Sequence, residues 1–470
     1  MTMMKSLVST GIVCFLLISW QQGVASDDRH TVKSGWKAGV ARVMVTPEQS
    51  MWMAGYALRD HPSEGTLHEL WAKALALEDS EGKQVLLVTS DLLGFPKAMS
   101  DRIRDRIQSI YGLTRAQIIL NSSHTHSGPV LNSALYDIYP LDDPQLRKIE
   151  QYSAKLEDKL VALAGQALHA LKPVQLSARN GVARFQVNRR TNMDEGLDQQ
   201  TDLNGPNDYA VPVIKVSDEN GDLMAIIFGY ACHPTVLDSY QWSGDYPGFA
   251  QIELEKSNPG AMALFFQGAG ADMNPLPRRS VALARQYGEE LAAAVDRVLN
   301  EDMHELPPHL STAYSEVELA LTSPPLKEEL LQMEKEASTG FERRWATRML
   351  SERERGEPII YSCPYPIQVW QLGDQPIVSL GGELVIEYAI QLKRIFGQEL
   401  IVMGYSNDVV SYIPSARILR EGGYEGALAQ IVYGLPATWK ADIEMVILHE
   451  VVKLADQAGI QPPESKLVKY

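Results

Sequence analysis

Two histidines one residue apart, His124-Thr125-His126, are the sharpest chemical feature of this 470-residue chain. They follow the apolar run Ile118-Ile119-Leu120 and sit among small polar residues, Asn121, Ser122, Ser123 and Ser127. On an extended segment, side chains at i and i+2 point to one face. The pair suits either two metal ligands or one ligand beside one hydrogen-bonding catalyst. Two ordinary polar loop residues are the plain alternative. A further histidine, His233, follows another apolar run and precedes Pro234. With Glu383 it would complete a His/His/Glu set, a donor chemistry of catalytic zinc sites that keep a position open for water. The separations, 109 residues from His124 to His233 and 150 from there to Glu383, suit a preformed scaffold and not a compact zinc finger. Taken singly, His233 also reads as a hydrogen-bonded buried histidine. Glu383 also reads as an acid at a helix N-terminus, favoured there by the helix dipole.

Other chemistries lack their motifs. The chain has no Gly-x-Ser-x-Gly nucleophile elbow. His68-Glu69 and His449-Glu450 lack the second histidine of a His-Glu-x-x-His zinc protease. Gly268-Ala269-Gly270 lacks the third glycine of a dinucleotide loop, and there is no phosphate-binding P-loop.

The elements that must position these groups alternate between short β-type runs and amphipathic helices. Residues 85–88, 118–120, 213–216, 224–228, 263–266, 377–380 and 400–403 read as strands. Residues 98–110, 145–170, 280–299, 384–396 and 440–458 read as helices. The expected fold is α/β, a mixed sheet covered by helices in a single large domain. Six strand-like runs end in polar turns, and in open α/β sheets ligands bind beyond such carboxyl ends. Residues 326–357 are charge-dense with a helical pattern, read as a helical surface insertion with a solvated face.

Asp and Glu number 59 against 43 Lys and Arg, a net charge of -16. Such a balance argues against nucleic acid and against anionic substrates or membranes. Residues 7–20 are mostly apolar after Lys5, and Gly23-Val24-Ala25-Ser26 offers small residues for cleavage. Residues 1–26 therefore read as a signal peptide, with an uncleaved anchor as the alternative. The expected product is exported, periplasmic or extracellular, and spans 27–470. Cys14 lies within the apolar stretch; Cys232 and Cys363 remain, as a disulfide or as two free thiols.

The motifs resemble a known family. His124-Thr125-His126-Ser127-Gly128-Pro129 is similar to the zinc signature of the neutral/alkaline non-lysosomal ceramidases. Gly39-Val40-Ala41-Arg42, Ala54-Gly55-Tyr56, Ser90-Asp91-Leu92-Leu93-Gly94 and the segment from Asn407 through Tyr412-Ile413-Pro414 to Tyr424-Glu425-Gly426 resemble further parts of it. The resemblance implies a zinc-dependent amidohydrolase acting on linear amides, which cleaves an N-acyl lipid such as ceramide with a zinc-activated water. It implies zinc on His124, His233, Glu383 and Tyr412, with His126 facing the substrate carbonyl. Tyr424 would be a second active-site tyrosine, and Arg189, or Arg190, a site arginine. Two departures stand out. Asp272-Met273-Asn274-Pro275 has Asn274 where the family carries a serine, so that residue would donate a hydrogen bond in the pocket. The chain is also expected to lack the C-terminal β-sandwich domain of the long ceramidases. The alternatives are a zinc hydrolase of the same fold with another N-acyl or ester substrate, and an inactive exported binding protein.

Overall fold

Continuous apolar runs such as Val85–Val88 and Met224–Phe228 give strands whose two faces are both buried. The computed structural model describes residues 35–192 and 202–462; the expected signal peptide and Cys14 lie outside them. The main strands are β1 (Trp36–Met44), β2 (Trp71–Glu78), β3 (Gln84–Ser90), β4 (Ile118–Ser122), β5 (Lys172–Val182), β6 (Ala210–Asp218), β7 (Leu223–Tyr230) and β8 (Met262–Gln267). They form one sheet in the order β8-β7-β6-β5-β1-β2-β3-β4. Its two outer pairs, β7 with β8 and β3 with β4, are parallel, and the inner pairs are antiparallel. The mixed sheet is as expected.

A second sheet was not expected. Strands β9 (Leu310–Ala320), β10 (Ser362–Leu372), β11 (Gln375–Leu380) and β12 (Ile401–Met403) pair in that order. Leu75, Leu77, Val85 and Leu87 of the large sheet bury one face against Trp370, Leu372, Ile377 and Met403 of the small one. The opposite residues, Ala74, Ala76, Leu86 and Val88, face helices α1 (Lys97–Tyr111) and α2 (Asp143–His169). Under β6 to β8 the same outer layer is supplied by α3 (Asp245–Ser257) and α4 (Val281–Leu299). The two main sheets of the described residues are thus stacked between two layers of helix. Period-2 patterning announces a buried face but does not say whether a helix or a sheet covers it.

The charge-dense stretch is two helices, α5 (Lys327–Glu336) and α6 (Gly340–Glu354). Its solvated-face reading is incomplete. Leu330, Trp345, Ala346, Met349 and Leu350 form a small core of their own. Trp345 Nε1 donates to the Leu435 carbonyl at 3.0 Å, and Arg348 pairs with Asp137 at 2.8 Å. Helices α7 (Ile386–Phe396) and α8 (Ile443–Gln457) cover the outer face of the small sheet. Cys232 and Cys363 are separate buried thiols. Among the described residues no helix is long and apolar enough to cross a membrane.

Asn121, at the end of β4, ties the ends of several strands together. Its Oδ1 accepts from Gln267 N of β8 at 2.9 Å, and its Nδ2 donates to the Gly404 carbonyl at 2.8 Å. The carboxyl ends of β4, β8 and β12 therefore meet at one point.

Candidate metal centre and catalytic cleft

The loops that leave these strand ends carry the donor groups. After β4 the extended reading of the His-Thr-His segment does not hold: His124 has φ +65°, in the left-handed region. Its N–H donates to the Leu92 carbonyl at 2.9 Å and its ring Nδ1 to the Leu93 carbonyl at 2.6 Å, and these two bonds turn the residue back toward the loop after β3. Both rings nevertheless arrive together, with His126 Nε2 3.3 Å from His124 Nε2. His233, in the loop after β7, orients in the same way, its Nδ1 lying 2.8 Å from the Gly270 carbonyl. A carbonyl on Nδ1 requires the proton there, so in the neutral ring Nε2 carries the lone pair. His124 and His233 are thereby set as Nε2 donors. The Nδ1 of His126 is buried and finds no partner.

Glu383 lies three residues ahead of α7, outside the helix, so its alternative reading as a helix N-terminal acid does not hold. A short parallel bridge pairs Glu383–Leu384 with Tyr412–Ile413, and Glu383 is the register partner of Tyr412. Gly382 makes this possible. Its φ is +70°, and a Cβ there would stand 2.5 Å from Ile413 Cγ1. Glu383 Oε2 lies 3.2 Å from His124 Nε2 and 3.1 Å from His233 Nε2. Tyr412 Oη is 3.3 Å from His233 Nε2.

These distances test the fit to a metal. Oε2 of Glu383 is buried without a well-directed hydrogen bond, despite two ring nitrogens within 3.2 Å. Three electron-pair donors facing one another repel unless a cation lies between them. Zinc bonds of about 2.0–2.1 Å give a tetrahedral edge of ~3.3 Å, matching the donor spacings. The three histidine nitrogens all lie within 4.8 Å of one another. The donor set fits zinc. Burial pulls the His233 imidazole down to about 4, with the Arg189 cation adding to it. His126 is held well below the ordinary histidine range, first by burial and then by the two neighbouring histidines. Burial opposes ionisation of Glu383, but His124 and His233 outweigh it and keep the carboxyl well below its usual range. An ionised carboxylate is the form that metal ligation requires.

Of the two arginines, Arg189 is the one that reaches the tyrosines. Its Nη2 donates to Tyr412 Oη at 3.1 Å, its Nε donates to Glu425 Oε1 at 2.8 Å, and its guanidinium lies 5.6 Å from the Tyr424 ring. Arg190 instead pairs with Glu425 and Glu421. Asn274 is paired to Val187 in a short antiparallel bridge, which puts it on the same wall as Arg189. His126, Arg189, Asn274, Tyr412 and Tyr424 all line one cavity of about 720 Å³. Phe341 of the helical insertion lines it too.

Two tyrosines escaped the motif reading. Tyr433 Oη donates to Glu383 Oε1 at 2.6 Å. The Tyr56 ring packs 4.8 Å from that of His126. Tyr56 stood inside a recognised string without a role, and nothing local marks Tyr433. Gly55 lets this loop close in, since with φ +99° a Cβ there would stand 2.4 Å from His126 Cγ.

A crystal structure of neutral ceramidase from Pseudomonas aeruginosa superposes with TM-score 0.70 at 19% identity, covering 92% of this chain and 75% of that one. Neutral ceramidase A of Dictyostelium discoideum is 26% identical over 293 residues, 58% of this chain and 40% of the relative. The neutral ceramidase of Drosophila melanogaster is 23% identical over 261 residues, 53% of this chain and 35% of that protein. The chain thus spans two fifths or less of the length of these curated relatives. The sequence model described as neutral/alkaline non-lysosomal ceramidase, N-terminal, matches residues 36–278. That match covers just over half of the chain, which places this protein in the neutral/alkaline non-lysosomal ceramidase family.

Proposed function

We propose that the chain is a zinc-dependent amidohydrolase, exported from the cell, that cleaves the amide of an N-acyl lipid of the ceramide type. The observation that carries this reading is the buried Glu383 Oε2, without a well-directed hydrogen bond, between two imidazoles whose Nδ1 atoms are tied to carbonyls. His124, His233 and Glu383 would hold the metal, with Tyr412 as fourth donor. A zinc ion there supplies Lewis acidity, which polarises a carbonyl and acidifies water.

The remaining groups act around the scissile bond. His126 is neutral at pH 7 and exposes one face to the cavity wall, so it can take a proton and return it to the leaving amine. Arg189 stays cationic beside Tyr412 and Tyr424. Tyr424 lines the cavity while partly exposed, and its phenol, protonated at neutral pH, remains a donor. Arginine and tyrosine together offer donors to a developing oxyanion. Asn274 cannot serve as a nucleophile, and this route needs none from the chain. Its Oδ1 is buried without a partner and could accept an amide N–H, which an ester lacks. That favours an amide over an ester. The test is zinc analysis of the purified protein together with a hydrolysis screen over N-acyl lipids, with and without a chelator. Stoichiometric zinc and chelator-sensitive amine release are expected. A protein that hydrolyses such amides equally well without metal would overturn the reading.

A further inference from the structure

A second cavity adjoins the candidate metal centre. It measures about 280 Å³, and Leu93, Ala134, Leu135, Ile360, Val410 and Leu435 give it apolar walls. Small-molecule sites are built this way, mostly apolar with a few placed polar groups. It shares no described lining residue with the cavity of Tyr412 and Tyr424. Ser133 and Ile360 line it and are exposed, so it opens to solvent.

One acid in this apolar cavity has no counterpart. Asp408 lines the cavity and is only 3% exposed. Its backbone is occupied: its N–H donates to the Ser406 carbonyl and its carbonyl accepts from Gly382 N, each at 2.7 Å. Its carboxyl has no hydrogen bond and no ion pair among the described residues. Lys97 lines the same cavity, but its ammonium is held by Glu316 at 2.9 Å and by Asp101 at 3.1 Å. Arg104 is held by Asp101 at 3.0 Å. The charges that face Asp408, Lys97 and Arg104 against Asp101 and Glu316, thus offset one another. Burial dominates and pushes the Asp408 carboxyl up to about 7. A buried carboxylate without a partner bears the cost of its lost hydration, which an entering cation relieves. An alkylammonium matches both features, since its N–H donors meet the carboxylate and its chain meets the apolar walls.

The same walls reach the metal centre. Tyr433 lines this cavity and donates to Glu383 Oε1 at 2.6 Å. Leu93 lines it too, and its carbonyl accepts from His124 Nδ1 at 2.6 Å. Asp408 itself holds Gly382, the residue before Glu383. We infer that this cavity is an effector site for a primary alkyl amine, bound as its ammonium on Asp408, whose occupancy alters the affinity of the neighbouring site for zinc. The second half rests on the zinc reading of His124, His233 and Glu383; the first half stands without it.

Equilibrium dialysis of the full chain, zinc-loaded and chelated, at pH 8 compares n-hexylamine with 1-hexanol and hexanoate. At that pH an alkylamine, which titrates near ~10.4 as lysine does, is cationic. Hexylammonium should bind about tenfold or more tighter than hexanol, and hexanoate weaker than either. Asp408→Asn keeps the shape and should abolish that preference, with thermal melting to confirm folding. Ala134→Phe fills the cavity and should weaken hexylammonium and hexanol together. Amine binding that persists in both variants overturns the site, as does equal affinity for hexanol or a preference for hexanoate. Chelator competition should show zinc affinity shifted about fivefold or more by saturating hexylamine, and unshifted in Asp408→Asn. Amine binding that depends on Asp408, with zinc affinity unmoved, keeps the site and overturns its link to the metal. A chain that takes the amine on Asp408 but holds no zinc overturns the zinc reading and leaves the amine site standing.

Discussion

Tyr433 holds one oxygen of Glu383 at 2.6 Å, leaving the other oxygen to face His124 and His233. The carboxylate is thus divided between a supporting hydroxyl and the two imidazoles. Outer partners of this kind fix ligand orientation and commonly alter metal affinity 10–100-fold. Tyr433→Phe keeps the ring and removes the bond. Zinc affinity, read by chelator competition, should fall by about ten- to a hundredfold. Apo stability should drop by about 1–3 kcal/mol because Glu383 Oε1 loses its donor. Unchanged zinc affinity would remove Tyr433 from the site.

The tautomer argument separates the histidines. His124→Ala with His233→Ala should abolish both zinc content and hydrolysis. His126→Ala should retain zinc and lose about 10²–10⁴-fold in kcat. Zinc loss in His126→Ala with zinc retained in the double variant would reverse the assignment. Metal analysis and kinetics on the same preparations decide this.

Acid should destabilise the metal-free fold through His233. Its folded value of about 4 lies below the ordinary 6.5, so the unfolded state binds more protons in that interval. Stability is therefore fully present above 6.5 and is lost as pH falls to about 4, by roughly 3 kcal/mol from this residue. His126 adds to the loss with the same sign. Urea unfolding in the presence of chelator at pH 7 and pH 4 measures it. His233→Asn should flatten the profile, and an equally steep profile in that variant would exclude His233 as a cause.

Gly55 is required both for its φ of +99° and for its closeness to His126. Gly55→Ala should cost about 1–3 kcal/mol in stability, since it forces a strained backbone. It should also displace the His126 ring, lowering kcat while zinc content stays near wild type. Thermal melts and metal analysis separate the two effects, and wild-type kcat would show that the loop yields elsewhere.

Much of the fold was legible along the chain, because helix and strand periodicities are local. The helix read at 145–170 is α2, Asp143–His169, with Ile149, Leu156, Leu160 and Leu163 on its buried face. The strands read at 213–216 and 224–228 are β6 and β7, which pair as a hairpin. The second sheet was not legible, since the same alternation in Leu75 and Leu77 would suit a helical cover equally well. Donor chemistry was legible as residue types in polar turns after strands. Their convergence depended on Asn121 bridging strands 146 residues apart in sequence.

Residue order alone determined that this chain carries two close histidines, a third after a strand and a lone glutamate, on an α/β framework. Tertiary structure decided what those groups become. The register of Glu383 on Tyr412 sets two donors side by side, and the carbonyls of Leu93 and Gly270 set which ring nitrogen is free. Tyr433 enters from 50 residues away to orient the carboxylate. Each of these depends on atoms distant in sequence meeting within hydrogen-bonding range, where direction and desolvation set the chemistry, and local periodicity carries no such information.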